Sequence, residues 1–325
     1  MADGKRVVDS DKVYTVLITN EAYLPGLFTL DYSLRKHGSR YPLVALYTDT
    51  VPASAHEAID RRGIPKQRIE YLLPTKGRDY SNDPRFYDCW SKLTPFSLTQ
   101  YTRVVQLDAD MLVRHNIDDL MTLPLDDPAV SSDPANQSTS SRVFAAGHAC
   151  VCNPLRKPHY PPDWLPSNCA FTTQHQTPDL AQHTGPDPTT DSPLGYMNGG
   201  LQVVNPSKAL YAQILDHMER GAANMDFADQ SLLSDLFRAR WVALPYVYNA
   251  LKTLRWPGVH DAIWRDDRVR VVHYILAPKP WDERGPDGRW NGPANPDDDV
   301  THRWWAEYDA ERRAAERDRG IDDGL

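Results

Sequence analysis

The sequence lacks any apolar run long enough to cross a bilayer, and residues 1–8 lack the hydrophobic core of a signal peptide. It also lacks a Gly/Ser-rich linker, a heptad pattern, an internal repeat and a block of like charge. These absences predict a cytoplasmic protein without a membrane span, folded as one domain. The 325 residues, 41% of them hydrophobic, are enough for a large core.

Positive charge is in short supply. Lys and Arg together number 36, against 44 Asp and Glu, which gives a net charge of −8. Because a phosphate backbone is bound by a basic surface, this balance argues against nucleic acid as a partner. If the protein handles a diphosphate, we expect a metal ion to supply the positive charge.

Several common catalytic and phosphate-binding motifs are missing. No Gly-X-Gly-X-X-Gly follows the first predicted strand, and no Gly-Lys-Ser/Thr occurs, so the two commonest phosphate cradles are absent. There is also no Gly-X-Ser-X-Gly and no His-Glu-X-X-His, which removes the simplest hydrolase and metalloprotease hypotheses. These absences favour phosphate binding through a metal ion.

Cysteine is scarce as well, with only Cys89, Cys150, Cys152 and Cys169. Cys150 and Cys152, with His148 nearby, could suggest zinc. However, Cys-X-Cys lacks the usual two-residue spacing of a zinc knuckle, and no second close pair exists. We therefore interpret the cysteines as buried free thiols.

Two carboxylates follow an apolar stretch. Residues 104–107 are typical of a buried central strand, and Asp108 and Asp110 come directly after it, separated by one alanine. Ligands of open α/β sheets bind at the carboxyl ends of such strands, and hard oxygen ligands can hold a cation there. The alternative is that the two acids cap the following turn, and the pattern alone leaves both open.

The first hundred residues alternate between strand and helix. Apolar spacing predicts strands at residues 13–19, 43–48 and 69–73, with helices at 23–37 and 53–62 between them. This order is typical of a parallel sheet built from right-handed βαβ units. It indicates a nucleotide-binding half.

The second half is less regular. Residues 131–192 are rich in Pro, Ser, Thr, Asn and His, and they either cover an acceptor pocket or form a surface excursion. A strand is predicted to follow Asn198-Gly-Gly, with helices at 208–218 and 229–238. Asp229 could simply cap the second of these helices.

The last part of the chain offers a histidine and a lysine. A strand at residues 269–275 delivers His273, and Lys279 follows it. The alternatives are a satisfied core histidine and an ordinary surface lysine. Residues 304–318 predict a charged amphipathic helix packed through Trp304, Trp305 and Tyr308.

Taken in order, a series of short motifs resembles the family 8 glycosyltransferases, which include glycogenin and galactinol synthase. The motifs are Thr19-Asn-Glu-Ala-Tyr23, Ser91-Lys-Leu93, Leu107-Asp-Ala-Asp110, Asn116-Ile-Asp-Asp-Leu120, Asn198-Gly-Gly200, Ala228-Asp-Gln230, Tyr248-Asn249 and His273-Tyr-Ile-Leu-Ala-Pro-Lys-Pro-Trp281. The resemblance covers nearly the whole chain. It implies an α/β GT-A fold: a single domain with a Rossmann-like nucleotide-binding half and a mixed central sheet. It also implies a Mn²⁺-dependent, retaining transfer of a hexose, glucose or galactose, from a UDP-sugar.

The resemblance also implies roles for individual residues. Asp108, Asp110 and His273 match the metal ligands, a set that suits Mn²⁺ better than Mg²⁺. The substrate-binding positions are Thr19, Asn20 and Tyr23 at the uridine, Lys92 at the donor sugar or ribose, and Asn198, Gly199 and Gly200 near the sugar. The catalytic candidates are Asp229 and Gln230 beneath the sugar and Lys279 at the diphosphate.

Differences from glycogenin narrow the range of possible acceptors. Residues 249–273 contain no tyrosine, which disfavours a self-primed glycogen starter, and glycogenin has Asn-Ser-Gly where this chain has Asn198-Gly-Gly. Residues 227–230, 244–249 and 304–309 look more like galactinol synthase, whose acceptor is myo-inositol. We expect a polyol such as myo-inositol, or a glycan. The alternatives are a sugar nucleotidyltransferase, a metal-dependent nucleotide-sugar pyrophosphohydrolase and a UDP-sugar-binding protein without turnover.

The expected organisation is an N-terminal tail at residues 1–12, a GT-A domain at 13–309 and a charged C-terminal tail at 310–325. Residues 131–192 form the loop-rich acceptor-side insertion of that domain. A homodimer is expected from the resemblance alone.

Overall fold

The computed structural model describes residues 5–133, 135, 139–191, 193–285 and 288–325. The first four residues of the predicted N-terminal tail and five positions of the predicted acceptor-side insertion lie outside these described residues. Within them, no helix combines the length and the apolar character that crossing a membrane requires.

Strands and helices alternate through the first part of the chain. The strands are β1 (Lys12–Ile18), β2 (Leu43–Tyr47), β3 (Lys66–Arg68), β4 (Arg103–Leu107), β5 (Met111–Val113), β6 (Phe144–His148), β7 (Met197–Val204), β8 (Val242–Ala243), β9 (Ala250–Leu251) and β10 (Val271–His273). The α-helices are α1 (Leu24–Lys36), α2 (Ala53–Arg61), α3 (Arg85–Cys89), α4 (Pro128–Ser132), α5 (Ala170–Thr173), α6 (Lys208–Gly221), α7 (Asp229–Leu236) and α8 (Asp299–Arg317).

The main sheet has the order β3-β2-β1-β4-β7-β6-β8. β1 is parallel to both β2 and β4, and β2 is parallel to β3, which gives the parallel sheet predicted for the first part of the chain. β7 is antiparallel to β4 and β6, so the sheet is mixed. A smaller sheet, β5-β10-β9, stands beside it. The predicted α/β fold with a mixed central sheet is confirmed.

The regular first half follows from its apolar pattern. β4 is buried along its whole length, as expected for a central strand covered on both faces. In α1, Leu27, Leu30 and Leu34 recur at helical spacing and are buried, and a proline lies in the first turn, where it costs no hydrogen bond.

Two strand predictions differ from the structure. The third strand is Lys66–Arg68 rather than residues 69–73, because an edge strand with one neighbour can be polar. Of the apolar residues that follow it, Ile69 is buried and Leu73 is exposed. Ile69 still bonds to Tyr47 O (2.9 Å), but Leu72 N already donates to Ser91 Oγ (3.0 Å). The late strand is also shorter than the predicted residues 269–275.

The segment 131–192 contains a strand that its composition hides. β6 is fully buried in the main sheet between β7 and β8, although its sequence, Phe-Ala-Ala-Gly-His, contains no β-branched residue. The segment is therefore not loop-rich throughout. Its remaining part, after β6, returns to the sheet at β7.

The C-terminal helix begins earlier and is more closely packed than its charge suggests. α8 starts at Asp299 and continues past residue 310, where the charged tail is predicted to begin. Arg312 is buried and bonds to Asp309 and Glu316 (both 2.7 Å), and Glu316 also binds Arg62 of α2's C-terminal cap (2.9 Å). Trp305 packs in the core as predicted.

Candidate active site

A cleft of about 220 Å³ opens beyond the carboxyl ends of β1 and β4. It brings together nearly all of the predicted site residues: Thr19, Asn20, Tyr23, Lys92, Asp108, Asp110, Asn198, Asp229, Gln230, His273 and Lys279. The other two, Gly199 and Gly200, lie in β7 and contact these side chains from behind. Residues from distant parts of the sequence therefore form one site.

Asp108, Asp110 and His273 converge at the base of the cleft. The backbone N of Asp108 donates to Gly200 O (2.9 Å), and Tyr274 N donates to Asp110 O (2.8 Å), which fixes both carboxylates against neighbouring strands. His273 Nε2 lies 3.6 Å from Asp108 Oδ2 and 3.4 Å from Asp110 Oδ1. The candidate ligand atoms all lie within 4.8 Å of one another. This set of two carboxylates and an imidazole, of which Asp110 and His273 are buried, fits a divalent cation.

A chain of hydrogen bonds determines which nitrogen of His273 carries the proton. Gly200 N donates to Asn198 Oδ1 (3.0 Å), and Asn249 Nδ2 donates to the same oxygen (2.8 Å). Asn249 therefore turns its Oδ1 towards His273 Nδ1 (2.9 Å), which must donate. The lone pair of Nε2 then points to the aspartates, as metal ligation requires. Asn249 belongs to the Tyr248-Asn249 motif, but its role is not evident from the sequence.

The negative charge of the aspartates is compensated by Lys279, which is buried, and by Lys92, which is half-buried. Lys92 Nζ donates to Asp108 Oδ2 (2.7 Å), and Lys279 Nζ donates to Asp110 Oδ2 and to Tyr274 O. Burial alone would raise the pKa of Asp110, but Lys279 and His273 hold it well below its usual range. Burial lowers the pKa of Lys279, whereas Asp108 raises the pKa of Lys92 well above its ordinary value against the opposing effect of burial. Both carboxylates are thus held beside fixed positive charge.

The two glycines of β7 are required by close packing. A Cβ on Gly200 would lie 2.3 Å from Cε1 and 2.7 Å from Nδ1 of the His273 ring. A Cβ on Gly199 would lie 2.3 Å from Asp229 Oδ2. The serine that glycogenin has at the middle position could not fit here without displacing Asp229.

Asp229 lines the cleft from a buried position and is not a helix cap. It occupies the first turn of α7, whose N-cap position is Ala228, in a left-handed conformation with φ of 45°. Asp229 Oδ2 accepts a hydrogen bond from Gln202 Nε2 (3.3 Å). Burial raises the pKa of Asp229 to about 7, with Lys92 opposing the shift. The carboxyl is therefore poised to titrate near neutral pH.

Gln230, the next residue, is anchored through its oxygen. Gln230 Oε1 accepts hydrogen bonds from Gly199 N (2.9 Å) and Asn198 Nδ2 (3.0 Å). With this oxygen engaged, the side-chain amide presents its NH₂ group as the remaining donor.

The other end of the cleft is formed by the loop after β1. Thr19 Oγ1 donates to Asp88 Oδ2 (2.8 Å), and Tyr23 packs edge-on against Trp281, with ring centroids 5.8 Å apart. Burial and the Asp110 charge raise the pKa of Tyr23 to about 12, although Arg85, which hydrogen-bonds to it, opposes the shift. Asp88 and Arg85 also line the cleft but are not predicted by the sequence, because α3 carries no pattern that distinguishes them from surface charges.

Three aromatic residues of the cleft lining pack against one another. Trp164 stacks on Phe227, with ring centroids 4.5 Å apart, and Tyr160 packs edge-on against both, at 5.1 and 5.3 Å. We call these three residues the aromatic wall. Tyr160 and Trp164 belong to the segment 131–192, which therefore contributes to the cleft.

Several known proteins are similar to this chain. Galactinol synthase 1 from Ajuga reptans is 28% identical over 304 residues, which cover 91% of this chain and 80% of the relative. Galactinol synthase 2 from Solanum lycopersicum is 28% identical over 310 residues, which cover 93% and 81%. These similarities extend over almost the whole sequence.

The fold is also shared with solved structures. The crystal structure of the galactosyltransferase LgtC in complex with donor and acceptor sugar analogs matches with a TM-score of 0.55 at 15% identity, over 92% of this chain and 96% of that one. GlyE, a glycosyltransferase of Streptococcus pneumoniae TIGR4, matches with a TM-score of 0.55 at 17% identity, over 95% and 64%. At this level of identity, the likeness concerns the GT-A fold. The sequence pattern described as glycosyl transferase family 8 matches residues 14–285, so the chain belongs to that family and is a glycosyltransferase.

Proposed function

We propose that the protein is a Mn²⁺-dependent, retaining transferase that moves a hexose from a UDP-sugar to a polyol such as myo-inositol or to a glycan. The observation that carries the proposal is the convergence of Asp108, Asp110 and His273 Nε2, with the tautomer of His273 determined by Asn249. Carboxylate oxygens with an imidazole nitrogen suit Mn²⁺ better than Mg²⁺, which prefers oxygen ligands and water. A bound cation would stabilise the negative charge that develops on the diphosphate leaving group.

The residues around the metal ligands have complementary roles in this proposal. Lys279, whose ammonium is buried beside Asp110, is suited to neutralise charge on the diphosphate. Lys92, beside Asp108, is assigned to the donor sugar or ribose. Thr19, Asn20 and Tyr23 are assigned to the uridine, and the half-buried ring of Tyr23 offers an apolar surface for the base.

The environment of Asp229 favours attack on the sugar from the same face as the departing diphosphate. A double displacement needs an accessible, ionised carboxylate beneath the sugar. Asp229 is only 1% exposed, bonds to Gln202, and has a pKa of about 7, so a large fraction is protonated at neutral pH. We assign Asp229 to positioning the Asn198–Gly199 backbone, and we assign contacts with the sugar hydroxyls to Asn198 and Gln230.

The acceptor is assigned to the side of the cleft that carries the aromatic wall. Aromatic faces pack well against the C–H faces of sugar and cyclitol rings. The relatives named galactinol synthase favour a polyol acceptor. Membership of family 8 argues against a nucleotidyltransferase, a pyrophosphohydrolase or a binding protein without turnover.

The direct test is UDP release from a panel of UDP-sugars in Mn²⁺, with and without myo-inositol or a maltooligosaccharide. We expect release with one donor, loss of release on chelation, and stimulation by one acceptor. Pyrophosphate or UMP as the product would instead support the nucleotidyltransferase or the pyrophosphohydrolase. UDP binding without turnover for any donor and acceptor would contradict the proposal.

The metal ligands are tested by Asp108→Asn, which keeps the shape of the side chain but removes its charge. We expect turnover to fall by about 10²-fold or more, because the cation loses an anionic ligand. Asp60→Asn is the matched control, since Asp60 lies exposed on α2 and its carboxylate pairs with Lys66 (2.6 Å), away from the cleft. Unchanged Mn²⁺-dependent turnover in folded Asp108→Asn would exclude the assignment.

A further inference from the structure

Three cysteines and a histidine meet beside the cleft. Cys150 and Cys152 follow β6, Cys169 precedes α5, and His260 lies between β9 and β10. One ligand atom from each of the four residues lies within 4.8 Å of the other three. The Sγ atoms of Cys152 and Cys169 are 3.2 and 3.3 Å from His260 Nε2. We call these four residues the Cys₃His cluster.

This arrangement differs from the sequence interpretation of the cysteines. All four cysteines of the described residues, Cys89 included, are free thiols, as predicted. However, Cys169 is buried whereas the other three are half-buried. Cys150, Cys152 and Cys169 also lie together rather than apart. The histidine nearest in sequence, His148, is not part of the cluster, because its Nε2 lies 2.8 Å from Pro186 O.

We propose that the Cys₃His cluster is a structural zinc site. A tetrahedral zinc ion with Zn–S bonds of about 2.3 Å holds its sulfurs about 3.8 Å apart, which is compatible with the spacing of the four atoms. Thiolates with one imidazole are soft ligands that select zinc over Mn²⁺ or Mg²⁺. Because four protein ligands complete the tetrahedron, the site has no open position for a substrate, which indicates a structural role.

The surroundings of His260 support ligation through Nε2. Its other ring nitrogen, Nδ1, lies 2.9 Å from His175 Nε2, which can accept a hydrogen bond from Nδ1–H. The lone pair of His260 Nε2 then faces the sulfurs. The His260 ring is fully buried and packs edge-on against Phe171 at 5.6 Å. The orientation of the His260 ring and its tautomer therefore both suit ligation of a metal ion by Nε2.

The location of the cluster suggests what the zinc ion would do. Residues 153–168, between Cys152 and Cys169, carry Tyr160 and Trp164 of the aromatic wall. Zinc would close this segment into a loop and attach it through His260 to the part of the chain that precedes β10. The ion would thus hold one wall of the cleft without taking part in the chemistry at Asp108 and Asp110.

Metal analysis of the full-length protein, purified without added metal and dialysed against EDTA, tests the proposal. We expect one zinc ion per chain, falling to about 0.2 or less in Cys169→Ser because a ligand is lost. Cys89→Ser is the matched control and should keep its zinc, since Cys89 does not belong to the cluster. Asp108→Asn should also keep it, which separates this site from the one proposed for Mn²⁺.

A second measurement does not depend on a variant that folds. Replacing the metal of the wild-type protein with Co²⁺ should give the thiolate charge-transfer band and the intense visible bands of a tetrahedral cobalt–thiolate site. Wild-type protein without zinc, or without these bands after Co²⁺ addition, would overturn the proposal. A disulfide among Cys150, Cys152 and Cys169 in the freshly purified protein would also overturn it.

Discussion

Replacing Asn249 with alanine tests whether its hydrogen bond to His273 is needed for binding of the proposed metal ion. In the folded protein, Asn249 Oδ1 accepts a hydrogen bond from His273 Nδ1 (2.9 Å), and Asn249 Nδ2 donates one to Asn198 Oδ1 (2.8 Å). The Asn249→Ala variant removes both bonds but leaves Asp108, Asp110 and His273 in place. His273 then has a buried Nδ1 without its partner, and either ring nitrogen can carry the proton.

The expected effects follow from the loss of that partner. A buried donor left unsatisfied costs about 1–3 kcal/mol of stability. Loss of the group that orients a metal-binding histidine typically weakens metal affinity by about 10–100-fold. Mn²⁺ titration followed by electron paramagnetic resonance, with UDP present, measures the affinity. Thermal unfolding in chelator measures the stability separately.

Asn116→Ala provides the matched control. Asn116 also bonds through both ends of its amide, donating to His37 O (3.1 Å) and accepting from Asp118 N (2.9 Å), but it is exposed and does not line the cleft. We expect this variant to lose some stability and keep the wild-type Mn²⁺ affinity. If folded Asn249→Ala also bound Mn²⁺ as tightly as wild type, the argument from the His273 tautomer would be refuted.

Two further substitutions probe the same site. Gly200→Ala should lower Mn²⁺ affinity and turnover by about 10-fold or more, since its Cβ would lie 2.3 Å from the His273 ring. Gly221→Ala is its control, meeting only the flexible end of Met225, and normal Mn²⁺ binding by Gly200→Ala would contradict the packing argument. Asp229→Asn tests the pH dependence in chelator. The pKa of Asp229 rises from 3.8 to about 7 on folding, so the folded state holds the proton more tightly. Its contribution to stability is therefore full below pH 4 and is lost as the pH rises to 7, by up to about 1.4 kcal/mol per pH unit. In thermal unfolding between pH 5 and 7, the stability of the variant should fall less steeply with pH than that of the wild type. An unchanged dependence on pH would exclude the raised pKa of Asp229.

Local periodicity explains why the first half of the fold could be predicted. β1, α1, β2 and α2 each carry their own apolar pattern and were predicted to within one or two residues. The position of β3 was wrong because a strand at the edge of the sheet can be polar, so the apolar pattern of residues 69–73 does not mark it. An element is predicted at its observed position where its buried residues are the apolar ones of the local sequence, and it is misplaced where they are not.

β6 shows the opposite situation. β7 and β8 pair with it from later in the chain, and Phe144 packs against Phe96 and Trp241, so its environment comes from residues distant in sequence. Small residues also let neighbouring groups come close: a Cβ on Gly147 would lie 3.2 Å from Asn249 Cβ. No pattern within residues 144–148 reports this environment, and the strand cannot be identified from them alone.

The same distinction applies to the candidate site. The residues placed by the sequence belong to short motifs, so a resemblance could identify them without any knowledge of their contacts. Asn249 contacts Asn198 from 51 residues away, and His260 approaches Cys152 from 108 residues away. Such contacts form only when the second sheet and the segment after β6 have packed together, and spacing rules written for ligands close in sequence do not detect them. Residues that orient a ligand or complete a cluster from another segment therefore had to be found in the structure.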